Sequence, residues 1–86
     1  ENHMALTMLG AARFEAGDPI GAATAFRRAL TLQPDDATSW ARLGESLVRA
    51  AEGEIQPDAE AAFTRALELD PSQLGARFFL GDLAIT

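Results

Sequence analysis

The chain has no cysteine, no lysine, a single histidine and no long apolar run. Without cysteine there is neither a disulfide framework nor thiol chemistry, which leaves the compartment open. Without lysine, all 7 basic side chains are arginines, and they are spread along the chain rather than clustered. Against them stand 13 acidic residues, giving a net charge of −6 and a pI near 4.5. That balance argues against nucleic acid or an anionic membrane surface as partner. The apolar runs are too short to cross a bilayer, so no membrane contact is expected of this stretch. Glu1-Asn2-His3-Met4 lacks the charged, apolar and cleavage-site pattern of a signal peptide. Residues 1–3 are expected to be an expression scar, with His3 disordered or vector-derived, and a single domain is expected over residues 4–86.

What is present is a repeat. Arg28-Ala29-Leu30-Thr31-Leu32-Gln33-Pro34 returns as Arg65-Ala66-Leu67-Glu68-Leu69-Asp70-Pro71. Upstream, Ala22, Phe26, Ala29 and Pro34 recur at the same spacing as Ala59, Phe63, Ala66 and Pro71. Leu-Gly pairs occur at Leu9-Gly10, Leu43-Gly44 and Leu80-Gly81. Leu9 lies 34 residues before Leu43, whereas Leu43 lies 37 before Leu80. The extra residues fall between Gly44 and Ala59, in the stretch 50–57. A period of this length marks a stacked array of small units.

Each unit reads as two helices. Leu6, Leu9, Gly10 and Phe14 keep helical spacing until Gly17-Asp18-Pro19, where Asp18 can cap the next helix and Pro19 suits its first position. Ala22, Phe26, Ala29, Leu30 and Leu32 carry a second stripe that stops at Pro34. The second unit is expected over Ala37 to Ala51 and Pro57 to Leu69, and a fifth helix over about Ser72 to Ile85. No stretch alternates as a strand would. The fold class is therefore all-α: an array of helical hairpins with two full repeats, about 4–34 and 37–71, plus one further helix.

Catalytic signals are absent. No nucleophile elbow, phosphate loop or metal-ligand spacing occurs, and no cofactor is implied. Asp35-Asp36 and Glu52-x-Glu54 suit helix starts and a loop. Ser39 and Ser46 have no base to activate them. Of Phe78 and Phe79, about 100° apart on a helix, one should pack and the other face outward. The chain is not expected to be an enzyme.

Helix pairs of this length, with Trp40-x2-Leu43-Gly44 followed by Ala59-x3-Phe63-x2-Ala66-x4-Pro71, resemble tetratricopeptide repeats over nearly the whole chain. The resemblance implies a helical-hairpin solenoid in which small residues at Gly10, Gly44, Ala22 and Ala59 permit close helix approach, while Phe26 and Phe63 fill the space between helices. Arg13 and Ala84 stand where the family favours an aromatic residue, and Leu6 and Arg77 replace the tryptophan seen at Trp40. The family's concave groove maps onto Met4, Thr7, Ala11, Phe14 and Glu15 of the first repeat. It continues through Thr38, Ala41, Arg42, Glu45, Val48 and Arg49 of the second, then Phe78, Phe79, Asp82 and Ile85. Val48 and Ile85 could equally be core. Apolar anchors mixed with both signs of charge suit a helical or extended peptide. The family's carboxylate clamp for chaperone tails falls on Thr7, Ala11, Arg42, Gly75 and Phe79, where only Arg42 could meet a carboxylate, so that clamp is not expected.

The lengthened stretch Gly53-Glu54-Ile55-Gln56-Pro57-Asp58-Ala59, after Trp40 to Val48, resembles the periplasmic tetratricopeptide domain of c-type cytochrome biogenesis proteins of the CcmI/CycH type. So does the run Gly75 to Gly81. This resemblance implies capture of the apocytochrome c C-terminal helix during cytochrome c maturation, in the periplasm, by a piece of a membrane-anchored parent. The alternative is a generic scaffold or assembly factor with another protein partner, cytoplasmic or not. Leu74, Phe78, Phe79, Leu80, Leu83 and Ile85 extend around more than one face of the last helix, and the expected consequence is a homodimer through that helix.

Overall fold

The computed structural model describes residues 2–81. Its helices are α1 (His3–Glu15), α2 (Pro19–Leu32), α3 (Ala37–Ala50), α4 (Pro57–Leu69) and a short α5 (Leu74–Ala76) that widens into a π-helical stretch, Arg77–Gly81. There is no strand among the described residues. α1 packs on α2, α2 on α3 and α3 on α4, and α5 closes over α3 and α4. This is the expected hairpin array of five helices.

Local chemistry sets the helix ends. Asn2 caps α1 by accepting the Ala5 N–H at 2.7 Å, and Asp18 caps α2 by accepting the Gly21 N–H at 3.0 Å, with Pro19 in the first turn. Asp36 caps α3, accepting the Ser39 hydroxyl at 2.6 Å. The extra residues of the second repeat form the turn between α3 and α4. There Glu52 and Gly53 both take positive φ, at 57° and 96°, and the Gly53 N–H donates to the Val48 carbonyl at 2.9 Å. Glycine tolerates that backbone at no steric cost, which explains its place in the insertion.

Two cores stack along the array. The first gathers Ala22, Ala23, Phe26, Leu30, Leu43 and Ala62; the second gathers Ala41, Val48, Ala59, Phe63, Ala66 and Ala76. Trp40 and Leu47 pack against both, and the Trp40 indole N–H donates to the Pro34 carbonyl at 2.8 Å, tying the inter-repeat loop to α3. Each core is built on one aromatic ring lying over one glycine. A Cβ added at Gly10 would stand 2.8 Å from Phe26 Cζ, and one at Gly44 would stand 2.6 Å from Phe63 Cε1. The sequence echo of Leu-Gly and Ala-x3-Phe is thus a steric pairing made twice.

Two expectations need correction. His3 is the first residue of α1, and its Nε2 lies 2.8 Å from Asp36 Oδ2 on the cap of α3. It is held in the domain because Asn2 starts the helix earlier than Met4. The last helix starts at Leu74 rather than Ser72. Asp70 accepts both the N–H and the hydroxyl of Ser72, at 3.0 and 2.7 Å, fixing a turn there, and Gln73 caps the helix instead. The expected continuation through Asp82, Leu83 and Ile85 lies outside the described residues.

Candidate functional site

Because α2 is wedged between them, α1 and α3 face each other without packing broadly, and a groove runs between them. On α1 the row Thr7, Ala11 and Phe14 follows helical spacing along one face. On α3 the opposing row is Thr38, Arg42, Glu45 and Arg49. A cleft of about 280 Å³ opens between these rows near the helix starts, lined by Thr7, Met8, Ala11, Phe26, Asp36, Thr38, Ser39 and Arg42.

Further along, the two α3 arginines converge on one ring. The Arg42 guanidinium carbon is 5.9 Å from the Phe14 centroid and 5.6 Å from that of Phe26, and the Arg49 guanidinium carbon is 4.7 Å from Phe14. Within about 6 Å a guanidinium is attracted by the ring face, so the phenyl holds both heads in place. Among the described residues neither arginine has a carboxylate within salt-bridge distance. Glu45, between them on α3, has its Oε1 beside Gly75 of α5, 3.3 Å from where a Cβ would stand. Asp36 accepts the Ser39 N–H and hydroxyl, with His3 Nε2 2.8 Å from its Oδ2.

The structure thus brings together Thr7, Ala11, Phe14, Arg42 and Arg49, with Glu45 beside them at the α5 boundary. Ala41, expected in the groove, is fully buried and offers no surface. Its methyl lies against Gly75 and Ala76, where α5 comes down on α3. Val48 is core as well. Phe79 stacks on Phe63, with centroids 4.7 Å apart and planes 14° apart, while Phe78 is 64% exposed and meets Phe79 only edge-on at 5.2 Å. One of the pair packs and the other faces out, as their angular separation requires. Phe78 is exposed on the last helical segment, and Asp82 lies outside the described residues.

Sequence reasoning missed Met8, Phe26, Asp36 and Ser39 as walls of the cleft. Phe26 was recognisable only as core, and it is 2% exposed. What register could not show is that its ring borders the groove, with the Arg42 guanidinium carbon over it. A second cleft of about 330 Å³, lined by Arg27, Leu30, Thr31, Trp40 and Leu43, opens between α2 and α3. Among the described residues no cluster of side chains is arranged to hold a metal ion, and no helix is long and apolar enough to cross a membrane.

Comparison with known proteins agrees with this architecture. The chain is similar to the peroxisomal targeting signal receptor of Candida albicans, at 43% identity over 56 residues, which is 65% of this chain and 9% of that protein. It is similar to the receptor of the same name from Eremothecium gossypii, at 42% identity over 55 residues, 64% of this chain and again 9% of that protein. The chain thus spans under a tenth of the length of these relatives. Residues 4–46 match one family model described as tetratricopeptide repeat, and residues 57–86 match a second so described. With half of its length covered by the first match and much of the rest by the second, the chain belongs to the tetratricopeptide repeat family.

Proposed function

We propose that this domain is a non-catalytic module that binds a helical or extended segment of another protein in the α1–α3 groove. The observation that carries the reading is the pair of facing rows, Thr7, Ala11 and Phe14 against Thr38, Arg42, Glu45 and Arg49, with an open cleft between them. A rigid groove offering an aromatic face and fixed charges suits peptide recognition, in which apolar burial supplies affinity and charge sets orientation. Tetratricopeptide repeats and the targeting-signal receptors named above agree with a recognition role. The test is calorimetric titration with a peptide selected against the domain from a displayed random library. Ala11→Arg, which fills the cleft from its floor, should abolish binding, and Arg65→Ala on the outer face of α4 should not. Unchanged affinity in Ala11→Arg would exclude this groove.

A finer reading, apocytochrome c capture in the periplasm, rests on the lengthened turn before α4, which the structure forms over residues 51–56. Neither relative named above is a cytochrome maturation protein. Titration with an apocytochrome c C-terminal helix decides it: saturable binding blocked by Ala11→Arg is the supporting result. Self-association is a separate proposal, supported by Leu74 at 79% and Phe78 at 64% exposure on the last helical segment. Sedimentation should show a dimer that Phe78→Ser dissociates, and a concentration-independent monomer would overturn it.

A further inference from the structure

We infer that the segment taken by the groove is acidic, and that Arg42 and Arg49, held over Phe14, form the subsite for its internal aspartate or glutamate side chains. This rests on the groove reading above and gives its occupant a chemistry.

Charge is unevenly placed in this molecule. The chain carries a net charge of −6, yet the middle of the groove presents two guanidinium groups and no neutralising carboxylate among the described residues. Of the carboxylates nearby, Asp36 accepts the Ser39 N–H and hydroxyl, Glu45 is turned toward Gly75, and Glu15, exposed beside Phe14, makes no salt bridge to either arginine. Arg65, on the outer face of α4, has its own carboxylate, with Glu68 at 3.2 Å. Arg13 and Arg27 likewise have no such pair among the described residues, and what sets Arg42 and Arg49 apart is that both are gathered over one ring in the groove.

Their placement is also suited to an anion. Positions 42 and 49 are two helical turns apart on one face of α3, about 10 Å along the axis. Both heads nevertheless lie within 6 Å of the same Phe14 ring, so the side chains lean toward a common point. Packing against the ring removes part of their freedom before any ligand arrives. A guanidinium pre-oriented in this way loses less entropy on forming its paired hydrogen bonds to a carboxylate. Two like charges gathered over one ring repel, and a carboxylate placed between them relieves that repulsion while the ring excludes water from one side. Arg42 is half-buried and reaches the adjoining cleft, so an acidic side chain bound there would leave its neighbours over Thr7, Met8 and Ala11.

The subsite suits internal side chains rather than a chain end. From Arg42 the facing rows run on along the cleft to Thr7 and Thr38, with Glu45 lying between the two arginines on α3, so a chain bound at Arg42 has groove beside it to follow.

The experiment is a selection of random dodecapeptides displayed internally, with no free carboxyl terminus, against the wild-type domain and against Arg42→Gln/Arg49→Gln. Circular dichroism confirms that the variant is folded, and Arg49→Gln alone, at an exposed position, serves if the double variant is not. Enrichment of Asp and Glu on the wild type, lost on the variant, is the expected result. An enriched peptide should bind about tenfold more weakly when its acids become amides, with the difference shrinking as salt rises. Apolar peptides without acids that Ala11→Arg still blocks would overturn the subsite and leave the groove reading intact. Acidic enrichment that persists on the variant, or binders only from a library displayed with a free carboxyl terminus, would also overturn it. A failure to select any peptide would overturn both.

Discussion

The two repeats use the same pair of residues, a phenylalanine over a glycine, and finish it in opposite ways. Phe63 is sealed on its far side: Ala41, Ala76 and the stacked ring of Phe79 close over it, and it is 0% exposed. Phe26 is almost as buried, but it forms part of the wall of the α1–α3 cleft, with the Arg42 guanidinium carbon 5.6 Å from its ring centroid. One layer is therefore packing alone, while the other is packing that also lines the α1–α3 groove. The difference lies in the helix that succeeds each hairpin. After the first comes α3, whose groove-facing row carries long charged side chains. After the second comes α5, which brings Gly75 and Ala76 close against α3, and the π-helical stretch that follows lays Phe79 on Phe63 of α4.

The largest effects should come from emptying the two layers. Phe63→Ala and Phe26→Ala should each cost about 3–5 kcal/mol, with Phe63 at the upper end because its loss also removes the stack on Phe79. Urea denaturation followed by circular dichroism measures both, and a markedly larger cost at Phe26 would reverse the assignment of sealed and open layers.

A smaller change sharpens the same contrast. Gly44→Ala places a Cβ against a ring that Phe79 holds fixed, so it should destabilise by about 1–3 kcal/mol despite the helix preference of alanine. Gly10→Ala pushes on the Phe26 ring, which borders the α1–α3 cleft. Its cost should be near zero, because alanine's better helix propensity, worth about 1 kcal/mol, offsets the clash. Melting curves of the two variants read the difference directly, and equal losses would mean that the Phe26 ring is as confined as Phe63.

The smallest effect concerns the turn that sets the start of α5. The Asp70 carboxyl is held below its ordinary range by the Ser72 hydroxyl and then by the Ser72 N–H. A folded-state value below the unfolded one means that the contribution is present at neutral pH and is lost as pH falls through the depressed value. Asp70 is solvent-exposed, so the effect is local rather than global. Acid titration should shift the Ser72 amide resonance with a midpoint below that of an ordinary aspartate, and Asp70→Asn should flatten the response.

Much of this architecture was legible in the sequence because repetition makes the same physics visible twice. The Phe–Gly pairing, the caps at Asp18 and Asp36, and the lengthened turn at Gly53 each derive from residues with few alternatives. The groove was legible as a register on α1 and α3, and that register places Thr7, Ala11, Phe14, Arg42 and Arg49 together. What escaped was set by tertiary approach. Ala41 has the right phase for the groove but is covered because Gly75 and Ala76 come close. His3 looked detached because the capping role of Asn2 depends on a single hydrogen bond to Ala5. The start of α5 moved because Asp70 captures Ser72, a local competition that helical periodicity does not report.

Binding between α1 and α3, and not on the sealed second layer, is the claim on which the proposed function turns. Amide chemical-shift mapping with a selected peptide tests it most directly. The largest shifts are expected at Thr7, Ala11, Phe14, Arg42 and Arg49, with Ala59, Phe63 and Ala66 of α4 little changed. Shifts concentrated on α4, or in the α2–α3 cleft around Arg27, Thr31 and Trp40, would contradict it.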